Sequence, residues 1–391
     1  MEPRASQQQP LNILMGSGVL KRREGGVAAV IYNLGRELER LGHRVSYVFQ
    51  DDLIEPGSVS PRFNELIFSW HLGRYIAENR QRFSIVNLHA PTGFPYGLRR
   101  KWQRGAGLPP YVMTLHGLEE RRVYVMSREE KKGRAWNFSL KNRLWQRFYH
   151  QPRFRWSIRT ADGAHASARD VWLTLQLKYD LDADRVAYIP HGVESRFFVA
   201  REYRSGEKVK LLYAGTWLDQ RGIYYIRDAL RNLATRMPGL TMTFAGGGVP
   251  PEEIQQFFGT ELASRILVRP VVAAENMPEL YAEHDVFLFP SLMEGLPLVL
   301  LEAMAGGMPV ITTDTCGMAD VVEHDFNGLL VRPADAGAIE DAVMRLADSG
   351  ELRQRLGENA RATMKRYTWE RAARQMEALY RHVLAAEAKR D

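Results

Sequence analysis

The chain has 391 residues, 45% of them hydrophobic and 25% charged, with a formal net charge of +7. These are ordinary globular values, and the length suits two domains, each with its own core. A single cysteine, Cys316, excludes an internal disulfide and fits a reducing compartment, and no run of about 18 uncharged apolar residues is present to span a membrane.

The start, Met1 to Pro10, is polar and lacks the apolar core of a signal peptide, so a cytoplasmic chain is expected. Charge is uneven. Residues 1–200 hold 31 Lys and Arg against 19 Asp and Glu, whereas residues 201–391 hold 22 against 27. The two halves are expected to face different partners, or one of them an anionic surface.

In chain order, Leu11 to Ser17 reads as a strand, Val27 to Leu41 as a helix stopped by Gly42, and Arg44 to Phe49 as a second strand. The loop between the first two carries Gly16, Gly18, Gly25 and Gly26. It does not spell G-x-G-x-x-G, so a dinucleotide fingerprint is unsupported. Ser84 to Ala90 and Tyr111 to Leu115 read as further strands, with helices around 62–80 and 96–104. A lone histidine is more often structural. His116, followed by Gly117 at a strand's carboxyl end, is nevertheless a candidate for chemistry, and His89 holds a similar place without a motif.

Residues 121–160 hold 12 Lys and Arg and 2 Glu, interleaved with Trp136, Phe138, Trp145, Phe148, Tyr149, Phe154 and Trp156. One reading is contact with an anionic membrane or acceptor. Another is a solvated helical surface whose aromatics pack on their own domain. Nucleic-acid binding is disfavoured, because no recognised module is present. Asp182-Ala183-Asp184 spells a D-x-D of the kind that can bind a metal ion, but it does not follow an apolar strand and reads as coincidence. The stretch Phe197 to Lys208 reads as a linker. It divides residues 1–200 from 201–370, with 371–391 as a final helical segment.

The alternation of strand and helix then restarts. Strands are expected at Val209 to Ala214, Leu240 to Ala245 and Ile266 to Val271, with loops at Gly215 to Gly222 and Gly246 to Gly248. Val286 to Phe289 is a short buried strand, Leu296 to Ala305 a helix with Pro297 in its first turn, and Pro309 to Thr313 the next strand. Such units build a parallel sheet. Glu294 lies past the carboxyl end of a strand, where open α/β sheets bind ligands, and the following helix aims its N–H groups at the same crevice. Glu302 lies eight residues on, among Val299, Leu300, Leu301, Ala303, Met304 and Ala305. That is an odd setting for a solvent-facing glutamate, although capping and surface roles for the pair stay open. No ligand cluster suggests a metal site.

The run E-G-L-P-L-V-L-L-E-A-M-A-G-G-M-P-V-I from Glu294 resembles the E-x7-E signature of family 4 retaining glycosyltransferases. I-P-H-G-V-E at Ile189 to Glu194, N-G-L-L-V at Asn327 to Val331 and Y-T-W-E-R at Tyr367 to Arg371 also fit that family's pattern. The resemblance is strong over 185–390 and weaker over 11–184. It implies a GT-B fold: two Rossmann-like domains with parallel sheets facing a cleft, and a final helix returning to the first domain. It implies a nucleoside-diphosphate sugar as co-substrate, without a further cofactor, bound by the second domain. The acceptor, a glycan or a lipid-linked and in one reading anionic molecule, belongs to the first.

By resemblance, Glu294 holds the donor sugar near the anomeric centre, as nucleophile or as stabiliser. Glu302 binds the ribose, and Gly295, Leu296 and Pro297 present the helix N-terminus to the diphosphate. His116 reaches the sugar, Gly25 and Gly26 let backbone approach the donor, Gly246 lies near it, and Val272 meets the base. The family's G-R-L-x3-K-G loop reads here as Gly215-Thr216-Trp217 and onward to Arg221-Gly222. Thr216 stands at the Arg position and Arg221 at the Lys position, so one cation is absent and the other replaced. The chain is thus expected to be a metal-independent retaining glycosyltransferase of surface glycan, polysaccharide or glycolipid synthesis, cytoplasmic or peripheral on the inner membrane face. Alternatives are a nucleotide-sugar 2-epimerase of the same fold and a non-catalytic glycan-binding relative.

Overall fold

The computed structural model describes residues 9–21, 26–55, 57, 61–103, 106–136, 138–203 and 209–389. Strands β1 (Asn12–Gly16), β2 (Arg44–Val48), β3 (Ile85–His89), β4 (Tyr111–Leu115), β5 (Gly163–Ala166) and β6 (Val186–Tyr188) form one parallel sheet in the order β2-β1-β3-β4-β5-β6. Strands β7 (Lys210–Ala214), β8 (Thr241–Ala245), β9 (Ile266–Arg269), β10 (Val286–Phe289), β11 (Val310–Thr313) and β12 (Leu329–Val331) form a second, in the order β12-β11-β10-β7-β8-β9. Every residue of β3, β4, β10 and β11 is buried, which is why these strands read as apolar runs and not as alternating ones.

Strand order reverses once in each sheet. In the second sheet β7 leads to β8 and β9 on one side, while β10 lies on its other side and leads outward to β11 and β12. Helices on opposite faces diverge at such a point and leave a crevice beyond the carboxyl ends of the two strands. The loops that flank this crevice are 215–222 and 290–297. The first sheet reverses between β1 and β3.

One apolar cluster fills the second domain; two others line the two faces of the first sheet. The returning helix Trp369–Glu387 joins the helix Gly26–Arg40 in one of these, through Trp369, Met376 and Tyr380 against Ile31, Leu34 and Leu38. Its start explains two of the sequence motifs at once. A Cβ on Gly192 would lie 2.2 Å from the Trp369 nitrogen, the His191 ring stacks on Trp369 at 5.9 Å, and Val193 N–H donates to the Tyr367 carbonyl. Asn327 is structural as well: it accepts from Glu323 N–H and donates to the Val321 carbonyl and Thr363 Oγ1. The helix expected from Leu296 begins at Leu298, because Pro297 is extended and Gly295 turns its carbonyl to Gly317 N–H at 2.9 Å.

Candidate functional site

Backbone hydrogen bonds stitch the crevice loops together. Gly215 N–H donates to the Ala245 carbonyl, Trp217 N–H to Gly247 and Gly246 N–H to Arg269. Gly215 and Gly246 have φ of +141° and +70°, values that favour glycine. Gly222 is held to glycine twice over, by φ of +77° and by the Pro290 carbonyl oxygen 2.1 Å from where a Cβ would sit. This close approach lets Leu292 N–H and Ser291 Oγ both donate to the Gln220 carbonyl.

The result is that Arg221 and Glu294 form a direct ion pair. Ser291 Oγ lies 3.2 Å from Glu294 Oε1, an alternative acceptor for the same hydroxyl proton, and the Arg221 guanidinium lies 5.3 Å from the centre of the Phe289 ring. Burial lowers the Arg221 pKa, and its Nε has no hydrogen-bond partner among the described residues. The sequence reading treats Arg221 and Glu294 as two separate charges; they are one neutral pair with a spare buried donor. Thr216 is exposed, and its carbonyl accepts from the Tyr213 hydroxyl at 3.0 Å. Arg269, the cation at the end of β9, pairs with Glu283 at 2.9 Å.

Glu302, on the helix Leu298–Ala305, is half-buried and accepts from the Tyr281 hydroxyl at 2.9 Å. Burial pushes its carboxyl up to about 7, against the opposing pull of the Tyr281 hydrogen bond and of Arg196. Val272 is half-buried just past β9, and Leu296 is buried beside Gly295. Gly26 opens its helix with φ of +59° and open space where a Cβ would stand; Gly25 lies outside the described residues. Leu298 packs against the cluster formed by the helices Gly26–Arg40 and Trp369–Glu387, so the site helix touches the first domain.

The first domain closes the crevice from the other side. A Cβ on Gly295 would lie 2.1 Å from the His116 carbonyl oxygen, so this glycine admits the end of β4. The His116 ring is committed elsewhere: its Nε2 is 2.7 Å from His89 Nδ1, and the rings stack at 5.0 Å. His191 lies 5.9 Å from His116 and 6.3 Å from His165. Burial lowers the pKa of all four, to about 3 for His116 and about 4 for His165, so they are neutral at pH 7. Among the described residues no group of three or more His, Cys, Asp and Glu is placed to hold a metal ion.

The helix Glu119–Lys131 and the residues after it form a strap onto the second domain that the motif reading missed. Arg121 pairs with Asp170 and reaches Cys316 Sγ at 2.9 Å, while Arg122 Nε donates to Gln220 Oε1 at 3.0 Å. Val125 packs on the second core, Tyr225 donates its hydroxyl to Glu129 at 2.7 Å, and Arg134 pairs with Asp228 at 2.7 Å. Trp136 stacks on Trp217 at 6.3 Å and donates its backbone N–H to Asp219 Oδ2 at 3.1 Å. The only signal in the sequence was the mixture of charge and aromatics, which did not say where it docks.

The fold and its interdomain crevice define the class, a two-domain glycosyltransferase of the GT-B type. Residues 24–197 match the family described as Glycosyltransferase Family 4, and residues 196–363 match Glycosyl transferases group 1. Between them the two matches span nearly all of both sheets, and they support a group 1 type glycosyltransferase. It is 23% identical over 318 residues to an uncharacterized glycosyltransferase of Methanocaldococcus jannaschii, covering 81% of this chain and 80% of that one. With several other curated relatives the alignment spans little more than half of the relative's length. Among solved structures, sucrose-phosphate synthase from Thermosynechococcus elongatus superposes with a TM-score of 0.78 at 20% identity, over 96% of this chain and 100% of that one. Anabaena HepE in complex with UDP-glucose superposes with a TM-score of 0.66 at 14% identity, over 94% and 98%. The matches do not favour the epimerase or the binding-protein alternative.

Proposed function

We propose that this chain moves a sugar from a nucleoside-diphosphate donor to an acceptor hydroxyl with retention of anomeric configuration. The observation that carries the proposal is the Arg221–Glu294 pair at the strand-order reversal, with an unpartnered Arg221 Nε beside it. The nucleotide sugar bound in the Anabaena relative supports the donor class.

In this reading the ribose hydroxyls donate to Glu302, and the diphosphate takes Arg221 away from Glu294. Arg122, which already reaches over Gln220 from the first domain, adds the positive potential that Thr216 does not supply. The amides at the start of the helix Leu298–Ala305 complete the phosphate cradle. Glu294, released from its cation, then faces the carbon whose positive charge grows as the bond to the diphosphate breaks. Fixed charge of this kind usually contributes more to catalysis than any other single effect. The electron pair of the broken bond leaves with the diphosphate, and the acceptor's proton passes to a departing phosphate oxygen. These groups carry the phosphate charge without a metal.

The acceptor is a glycan or lipid-linked molecule held by the first domain, and the product serves surface glycan, polysaccharide or glycolipid synthesis. The test is a panel of UDP-, GDP- and ADP-sugars with glycan and lipid acceptors, read by product anomer and repeated in EDTA. The expected result is one donor class consumed, the donor anomer kept and the rate unchanged by EDTA. An inverted product, an EDTA-sensitive rate, or no turnover of any donor overturns the corresponding part.

A further inference from the structure

We propose that the outward face of residues 140–159 is a docking surface for an anionic lipid bilayer. This segment runs through the helix Leu140–Trp145, a π-turn at Gln146–His150 and the helix Gln151–Arg159. Arg153, Phe154, Ser157 and Ile158 turn inward and are buried. An ordinary surface helix then presents a polar outer face. Here the outer face carries Leu140, Leu144, Phe148, Pro152 and Trp156, every fourth residue, all exposed. Phe148 is 71% exposed and Leu140 61%.

The remaining exposed residues of 140–159 are Lys141, Arg147, Arg155 and Arg159. Apolar and basic groups therefore alternate along this face with no acidic residue among them. The adjoining helix Phe94–Trp102 extends the pattern: Lys101 Nζ lies 5.6 Å from the centre of the Trp156 ring, and Trp102 is 79% exposed. An exposed apolar stripe edged with cations matches the boundary between acyl chains and anionic headgroups, where aromatic rings keep one edge wet. A second copy of the chain docking through this same face would meet it with like charge. Charge complementarity thus selects the bilayer.

The structure also changes which cations count. Lys132 and Arg134, in the same basic segment, are tied to Tyr225 and Asp228 of the second domain, and Arg143 to Glu130. The face begins where the strap ends, and Arg155 at its edge pairs with Glu120 of the strap helix. Attachment here holds the mouth of the crevice beside the membrane. Attachment does not depend on the proposed sugar transfer, because binding to vesicles and turnover of donor are read separately.

The experiment is co-sedimentation of the full chain with vesicles of phosphatidylcholine, with and without one-third phosphatidylglycerol, at low and high salt. Wild type is expected to bind the anionic vesicles more than about tenfold tighter than the neutral ones, with loss at high salt. Lys141→Gln/Arg147→Gln/Arg159→Gln is expected to bind about a hundredfold more weakly, at roughly fivefold per cation. Leu144→Ser/Phe148→Ser is expected to weaken binding while keeping its salt dependence. All five positions are exposed or half-exposed, so thermal unfolding should match wild type in both variants. Wild type that ignores anionic vesicles, binds neutral ones equally, or binds no less tightly after either set of substitutions overturns the proposal. So does binding to a soluble polyanion such as heparin with none to vesicles.

Discussion

The two walls of the crevice are built differently. On the second domain's wall the working groups are local: Thr216 and Arg221 share one loop, and Glu294 and Glu302 share one loop and helix. Short backbone bonds at Gly215, Trp217 and Gly246 fix them, and glycine at 222 lets the two loops touch. On the first domain's wall the groups come from far apart. His89, His116, His165 and His191 each lie in or after a different strand, and the strap's Arg121 and Arg122 meet Cys316 and Gln220 across the cleft. A chemical site can be concentrated in one domain while its closure is distributed over the other.

The contrast is most vulnerable at Glu294. Glu294→Gln keeps the shape and loses the charge, so turnover is expected to fall on the order of a hundredfold or more, as when a fixed electrostatic group is removed. Donor affinity should change far less. Equal losses in turnover and in affinity, measured by single-turnover kinetics and calorimetry, would make Glu294 a ground-state contact only. Arg221→Ala comes next. Removing charged hydrogen bonds worth roughly 1.5–3 kcal/mol is expected to weaken the nucleoside diphosphate roughly tenfold to a hundredfold. Calorimetry with the diphosphate and the monophosphate checks it, and the monophosphate should lose less.

Much of the second wall was legible because a strand, a loop and a helix N-terminus lie next to each other in sequence. The parallel sheets showed as apolar runs, and Glu302 stood out as a charge among six apolar neighbours. What could not be read was contact between distant segments. That Arg221 neutralises Glu294 depends on Gly222 resting on the Pro290 carbonyl, 68 residues from one to the other in the chain. His89 had no motif to mark it, yet its ring holds His116 at 2.7 Å. The basic stretch was visible as composition. Only the fold divides it into a strap that binds the second domain and a face that meets solvent, because that division follows from helix phase and from Asp219, Tyr225 and Asp228 on the far side.

A smaller effect probes the same contrast from the first wall. Arg122→Gln should weaken diphosphate binding by about threefold to tenfold, as expected for a partly exposed charge that solvent screens. Thr216→Arg in that background should restore the affinity by returning a cation to the second domain's own loop. No loss in the single variant, or no recovery in the double one, would confine Arg122 to bracing Gln220.

The most direct test of whether the second wall is a nucleotide site organised by Glu302 is the pH dependence of nucleoside-diphosphate binding. Burial holds the free carboxyl near pH 7, and ribose hydroxyls donate best to its ionised form. Affinity should therefore rise with pH up to about 7 and level off above it, with a proton released on binding below that point. Because the folded-state pKa lies above its ordinary value of 4.5, ligand-free stability should fall over the same window as pH rises from about 4.5 to about 7. Calorimetry of UDP, GDP and ADP from pH 5.5 to 8, with wild type and Glu302→Gln, reads the binding arm. Wild type should show the rise and the variant a flat, weaker profile; identical profiles in the two proteins, or binding of none of the three nucleotides, would contradict a site built on Glu302.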